Sequence, residues 1–228
     1  WYPLWNSLRI AAVRSVLVFF SGIAAAYYAA RLPKLLKGIL DVILTLPMVL
    51  PPTVVGYFLL LSVGSRRPLG IALEALGLRL VMDWRGGILA AFTVSFPLMY
   101  RTARGAFESF DETLAQAGKT LGLSNTFIFW HIRMPVCSQG ILAGAVLAFA
   151  RALGEYGATS MLIGYTPGRT ATISTTVYQM WRTGNDRQAF LWVCINLAIS
   201  AAVLLAVNSL EKKGRIKKGG QSVADCSN

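Results

Sequence analysis

Charge is scarce in this chain. Lys, Arg, Asp and Glu make up 14% of its 228 residues, where a soluble domain carries about 25%. That deficit excludes an ordinary water-facing globular surface. Acidic residues are the scarcest, ten against 22 Lys and Arg, for a formal net charge of +12. An excess of that sign could serve nucleic acid, but the basic residues are not gathered on a soluble domain. They sit at the ends of apolar runs, as membrane topology requires, so nucleic acid is not an expected partner. A single histidine, His131, argues against a His-based metal or catalytic site. Cys137, Cys194 and Cys226 lack metal-ligand spacing and read as ordinary small residues. No metal site is expected.

What the chain has in quantity is apolar sequence, with 55% hydrophobic residues and a mean hydropathy of +0.54. Five apolar stretches stand out, at 8–30, 38–63, 86–107, 138–164 and 189–209. Each is near or above the ~20 residues that cross about 30 Å of hydrocarbon as a helix. The fold class expected is all-α: a polytopic integral membrane protein of about five transmembrane helices. The first run is too long for a cleavable signal peptide and leads into further spans. Five spans put the termini on opposite sides. One side gathers Arg31, Lys34, Lys37, Arg101, Arg104, Lys119, Arg133 and the tail cluster Lys212, Lys213, Arg215, Lys217 and Lys218. The other has Arg66, Arg67, Arg79, Arg85, Arg169, Arg182 and Arg187. Twelve against seven makes the first side cytoplasmic, with the N-terminus outside and the C-terminus inside.

Residues 115–122, "AQAGKTLG", contain Gly-Lys-Thr, the last three letters of a nucleotide-binding P-loop. That pattern also needs a glycine five residues before Gly118, and the position holds Thr113. Leu114 to Ala117 are helix formers rather than a phosphate-cradling loop. The surrounding segment, 108–135, is polar and reads as a cytoplasmic helix–turn–helix beside the membrane. Asp111 is the expected N-cap, Glu112 suits the first turn, and Gly122 suits a left-handed helix stop. A second short helix is expected through Phe127–Ile132, ending before Pro135. Gly118 and Gly122 clear one face for the close approach of another protein, or the segment is a plain amphipathic connector.

Residues 116–135 resemble the "EAA" loop of ABC-transporter membrane subunits: Glu-Ala-Ala, three residues, Gly, nine residues, Ile, one residue, Leu-Pro. Here Gln116, Ala117 and Gly118 are followed at the same spacing by Gly122, Ile132, Met134 and Pro135. "LPMVLPPTVVGYFLLLSVG", "FTVSFPLMYRTARGAFESFD", "LAFARALGEYGAT" and "PGRTATISTTVYQMW" extend the likeness to molybdate permease subunits, from about Leu8 to Leu210. Sulfate permeases share much of the Ala-Leu-Gly-Glu-Tyr-Gly region, so a tetrahedral oxyanion is the substrate class. The resemblance implies an ABC importer permease fold, working as a homodimer in the inner membrane. It implies that Gln116, Ala117, Gly118, Gly122, Ile132 and Pro135 belong to a coupling helix docking into a cytoplasmic ABC ATPase dimer. An extracytoplasmic binding protein would deliver molybdate, tungstate or sulfate. No cofactor is expected in this chain, because ATP and Mg2+ would be bound by the ATPase. The permease domain would be 1–210, with the coupling loop at 108–135 and a basic, disordered cytoplasmic tail at 211–228.

Residues that could serve transport lie in spans two and four. Pro47, Pro51 and Pro52 remove helix hydrogen bonds, and the freed carbonyls must face protein or a water-filled cavity. They either break a helix that lines the path or make a packed kink, and Pro97 raises the same choice more weakly. Gly140, Gly144, Ala148 and Ala152 form a small-residue stripe that lets another helix, or a second copy of the chain, approach. Arg151 and Glu155, at i and i+4, are expected on one helix face. A charge inside the membrane costs at least about 2.5–3.5 kcal/mol, so pairing is expected. They neutralise each other, or Arg151 also offers positive potential to a dianion in transit. Thr159, Ser160, Thr172 and Thr176, among neighbouring hydroxyls, are expected as weak oxyanion donors near the outer mouth, or as part of a loop that receives the binding protein.

Overall fold

The computed structural model describes residues 1–225, with side chains described through Leu205. Among the described residues every regular element is helical. The chain divides into two compact units, Trp1–Thr176 and a second beginning at Val177.

In the first unit, α1 (Tyr2–Ala29) opens with Pro3 in its first turn, where a missing N–H costs nothing. It stops short of Pro33, and α2 (Lys34–Val49) starts directly after that proline. Pro51 and Pro52 end α2 and begin α3 (Pro52–Val63), and the chain bends by 114° between them. A short α4 (Pro68–Ala75) follows. α5 (Trp84–Glu108) is capped by Asp83, whose carboxylate accepts from the Arg85 N–H at 3.0 Å.

α5 is the axis of this unit. Met99, Tyr100, Ala103 and Phe107 pack with Val18, Ile23, Ala26 and Ala29 of α1 in the larger core. A Cβ at Gly22 would lie 2.5 Å from Met99 Cγ, which fixes how near α1 runs. Pro97 lies inside α5 and is fully buried. From the other side α8 (Met134–Leu153) lays its small-residue stripe on α5. A Cβ at Gly140 would meet Ala106 Cβ at 2.6 Å, and one at Gly144 would meet Thr102 Cβ at 3.0 Å. The stripe therefore serves a helix of the same chain. A smaller core joins Val55 and Val63 of α3, Ala90 and Val94 of α5, and Ala158, Leu162 and Ile163 of α9 (Gly157–Ile163).

Between α5 and α8 lie α6 (Glu112–Thr120), α7 (Asn125–Ile128) and a π turn, Phe129–Arg133. The expected second short helix does not end before Pro135. It starts at Asn125 and continues into α8, giving 29 helical residues to Leu153. The proline sits in the first turn of α8, next to the π turn that loosens the backbone ladder where proline lacks its N–H.

α10 (Ile173–Arg182) crosses the boundary between the units, and the second unit is otherwise α11 (Asp186–Asp225). The basic tail expected at 211–228 lies outside the described side chains, and Cys226 outside the described residues. Among the described residues three helices are long and apolar enough to cross a membrane: Tyr2–Ala29, Asn125–Leu153 and Asp186–Leu205. The bent pair α2–α3 meets the same length and hydropathy only when its two helices are taken together, as a broken span or a re-entrant loop. α5 is long enough at 25 residues but less apolar, since it is enclosed by neighbours and does not need a lipid-facing surface all round.

Candidate functional site

Two helix breaks meet inside the first unit. Pro51 and Pro52 cannot donate to the carbonyls of Pro47 and Met48, so α2 cannot continue into α3. The other break separates α8, which ends at Leu153 with Gly154 as its cap, from α9. The halves beyond the two breaks touch almost backbone to backbone. A Cβ at Gly56 would lie 2.7 Å from Ala158 Cα, and one at Gly157 would lie 2.9 Å from Pro52 Cβ and 3.1 Å from Thr53 N. Only glycine fits at either position. Pro52 is thus brought into this contact; Pro47 lies within α2, and Pro51 is exposed.

Arg151 and Glu155 do form an ion pair, Nη1 to Oε2 at 2.9 Å, but they do not share a helix face. Glu155 stands in the break, past the end of α8, because Gly154 has already closed the helix. Its second oxygen accepts from the Ala158 N–H of α9 at 2.8 Å. One buried carboxylate therefore ties the last turn of α8 to the first turn of α9. Both its oxygens are engaged, so Glu155 has little left to offer a ligand. Arg151 differs: its side chain is 36% exposed, and it has no second acidic partner among the described residues.

The structure adds a charge that sequence reasoning missed. Arg14, in the middle of α1, is only 1% exposed. Its Nη1 donates to the Ala148 carbonyl of α8 at 3.1 Å and its Nη2 to Ser15 Oγ at 3.1 Å, while Nε has no partner. No carboxylate pairs with Arg14 among the described residues. A signal was present: Ile10, Arg14, Val18 and Gly22 recur every fourth residue on the buried stripe of α1.

The hydroxyls expected near the outer mouth are mostly committed to the backbone. Thr172 and Thr175 bond reciprocally, Thr172 N–H to Thr175 Oγ1 at 2.9 Å and Thr175 N–H to Thr172 Oγ1 at 3.3 Å. Thr176 donates to the Thr172 carbonyl at 2.6 Å, and Ser160 donates to the Gly157 carbonyl at 3.0 Å. Thr159 is buried on α9. These bonds close the start of α10 and the first turn of α9, so Thr172 and Thr176 do not stand as free donors. The segment before α10 is pinned to α1: Asn6 Nδ2 donates to the Ala171 carbonyl at 3.1 Å, and the Ile173 N–H donates to Ser7 Oγ at 2.9 Å.

At the other end of α1 and α5 the contacts are ionic and aromatic. Asp111 caps α6, accepting from the Thr113 N–H at 2.9 Å. That backbone bond first, and the Thr113 hydroxyl second, hold its carboxyl below the ordinary value. Gly118 is buried, and its missing side chain is replaced by this chain's own Ile128 and Ile132, 3.2 Å from where a Cβ would be. The close approach predicted there is intramolecular. Gly122 is exposed with φ +77°, the left-handed helix stop expected. Gln116, Ala117 and Leu121 remain on the outer face of α6. Residues 114–120 are helical throughout, so Gly-Lys-Thr forms no phosphate loop.

Arg133 Nη2 reaches both carboxylate oxygens of Glu112 at 2.8 Å. Asp41, in α2, is a second missed residue. It pairs with Arg104 and accepts from the Tyr100 hydroxyl at 2.5 Å, while Lys37 pairs with Glu108. These groups lie at one end of the helices, whereas Arg9, stacked 3.5 Å over Trp84, lies at the other.

Three comparisons bear on this arrangement. The family described as "Binding-protein-dependent transport system inner membrane component" matches residues 20–213. The Escherichia coli (strain K12) molybdenum transport system permease protein ModB is 40% identical over 95% of this chain and 97% of its own. The Haemophilus influenzae protein of that name is 36% identical over 89% and 90%. Among solved structures, a bacterial alginate ABC transporter chain matches with a TM-score of 0.75 at 16% identity, covering 93% of this chain and 78% of that one. A MetNI methionine transporter chain, in an inward-facing form, matches at 0.72 and 12% identity over 92% and 94%. At those identities the two structures speak for the fold alone.

Proposed function

We propose that this chain, which belongs to the family of binding-protein-dependent transport system inner membrane components, is the permease through which an ABC importer carries molybdate. As a multi-pass component of that kind it works with an ATPase and a binding protein, and nucleotide is bound by the ATPase. The observation that carries the substrate is the 40% identity, over nearly the full length of both chains, to a molybdenum transport permease. The geometry supports a path rather than a reaction centre. Two broken helices lean together at Gly56 and Gly157, and the half-exposed Arg151 lies beside the break. A permease should hold its substrate weakly, or release becomes slow. One partly shielded guanidinium beside a carboxylate suits that need.

Within this reading, Pro47, Pro51, Pro52, Arg151 and the α9 residues Thr159 and Ser160 border the path. The domain is 1–210, with 211–228 a cytoplasmic tail. The outer face of α6, with Gln116, Ala117 and Leu121, docks on the ATPase; Gly118, Ile132 and Pro135 shape that element from within. Two copies enclose one path, which agrees with an α2 that has no buried residue in the single chain. The N-terminus is outside and the C-terminus cytoplasmic. Impermeant thiol labelling of Ser65→Cys from outside, with Lys34→Cys protected, is the result expected for that orientation.

The deciding experiment reconstitutes the chain with its ATPase and binding protein in vesicles and follows ATP-dependent uptake. Molybdate uptake, with competition by tungstate and weaker competition by sulfate, is expected. Preferred uptake of sulfate would move the substrate, and no oxyanion uptake at all would overturn the proposal.

A further inference from the structure

A cavity of about 370 Å3 opens between the end of α1, α6 and α7. Tyr27, Arg31, Glu112, Lys119, Asn125 and Arg133 line it. Its charge does not cancel. Arg133 is 94% buried and spends Nη2 on both oxygens of Glu112. Arg31 lies 4.0 Å over the Tyr27 ring and donates to the Tyr27 hydroxyl. Neither Arg31 nor Lys119 has a carboxylate partner among the described residues. Two cations without a counter-charge among the described residues, with a buried third behind them, therefore face a polar hollow roomy enough for one tetrahedral oxyanion.

The surroundings point to the bilayer surface. Tyr28 and Trp130 are exposed close by, 67% and 56%, and such rings settle at headgroup depth. Basic pockets between helix ends on the cytoplasmic side suit anionic headgroups. Arginine supplies paired N–H donors for phosphate oxygens. We infer that this cavity binds a phosphate-type oxyanion, carried by the headgroup of an anionic phospholipid or free in the cytoplasm. Such a ligand would bridge Arg31 of α1 and Lys119 of α6, and so brace the loop 108–135 against the first span.

The test uses the permease purified with its ATPase and examined by native mass spectrometry. Phosphatidylglycerol, phosphatidylcholine and inorganic phosphate are the probes. Retention of phosphatidylglycerol over phosphatidylcholine by about tenfold is expected for a charge-selected lipid site. The Arg31→Gln, Lys119→Gln double variant should lose that preference, while Arg31→Lys with Lys119→Arg should keep it. If the lipids are retained alike but inorganic phosphate binds in wild type and not in the glutamine variant, the site stands with a free anion as its ligand. No selectivity for either anion, or selectivity unchanged in the glutamine variant, would overturn the inference.

Discussion

The two ends of the first unit are held together by opposite means. Around the paired breaks the contact is backbone against backbone, made by Pro52, Gly56, Gly157 and Ala158, with a single buried carboxylate as the tie. Around the loop 108–135 the contact is made by long side chains: Arg133 with Glu112, Arg104 with Asp41, Lys37 with Glu108, and the rings of Tyr27, Phe107 and Phe129. Backbone contacts tolerate no added atom and little sliding. Networks of flexible charged side chains lose strength gradually and can exchange partners. The break region should therefore fail abruptly on substitution, and the loop end by degrees.

The largest effect should come from Gly56→Val. Its Cβ would fall 2.7 Å from a backbone atom that cannot yield, so the loss should exceed the usual overpacking penalty of about 1–3 kcal/mol. Recovery of folded complex after detergent extraction measures it, and normal recovery would end the claim that this contact is rigid. Next is Glu155→Gln. It replaces one carboxylate oxygen that accepts from Arg151 or from Ala158 N–H by an amide donor, at a cost of about 2 kcal/mol. A thermal midpoint within error of wild type would show that the tie between α8 and α9 is dispensable.

Arg14→Met runs the other way. An arginine buried against one carbonyl and one hydroxyl, without a counter-charge, costs more than an apolar side chain of similar volume. The variant should be more stable by about 1 kcal/mol. A fall in thermal midpoint would mean that the Ala148 contact is worth more than the burial of the charge. The smallest effect belongs to the loop end: Ser124→Ala removes the cap that accepts from the Phe127 N–H, worth about 0.5–1 kcal/mol. It should lower ATPase association slightly without loss of insertion. A collapse of the complex would show that the loop end is as brittle as the breaks.

Much of the fold was legible because a bilayer demands long apolar runs, and runs are visible one residue at a time. The break at Pro51 and Pro52 was legible for the same local reason: proline lacks the donor. The break at Gly154 was not, since a glycine within an apolar run is as often a packing residue as a stop. Glu155 was accordingly expected on a helix face. Arg14 and Asp41 were hidden because a lone charge gives no sign of its partner until another helix supplies one, here Ala148 and Arg104. Gly118 is expected to admit another protein, but its close neighbours are Ile128 and Ile132 of the same chain, because a glycine marks a close approach without naming the partner. The spacing of Thr172, Thr175 and Thr176 shows hydroxyls, and only the backbone path shows that they bond to one another.

The π turn at Phe129–Arg133 has a mechanical consequence. The 29 residues from Asn125 to Leu153 form a rod of about 40 Å at close to 1.5 Å per residue, with the π turn as its soft point. A displacement imposed at Asn125 is passed along the rod to Gly154, where the helix ends and the Glu155 carboxylate ties it to α9. Torsion behaves differently. A π turn holds a surplus residue, and winding it into α geometry would spin everything beyond it by about 100°. That gives the junction a torsional reserve, and the close seat of Gly140 and Gly144 on α5 holds it in place.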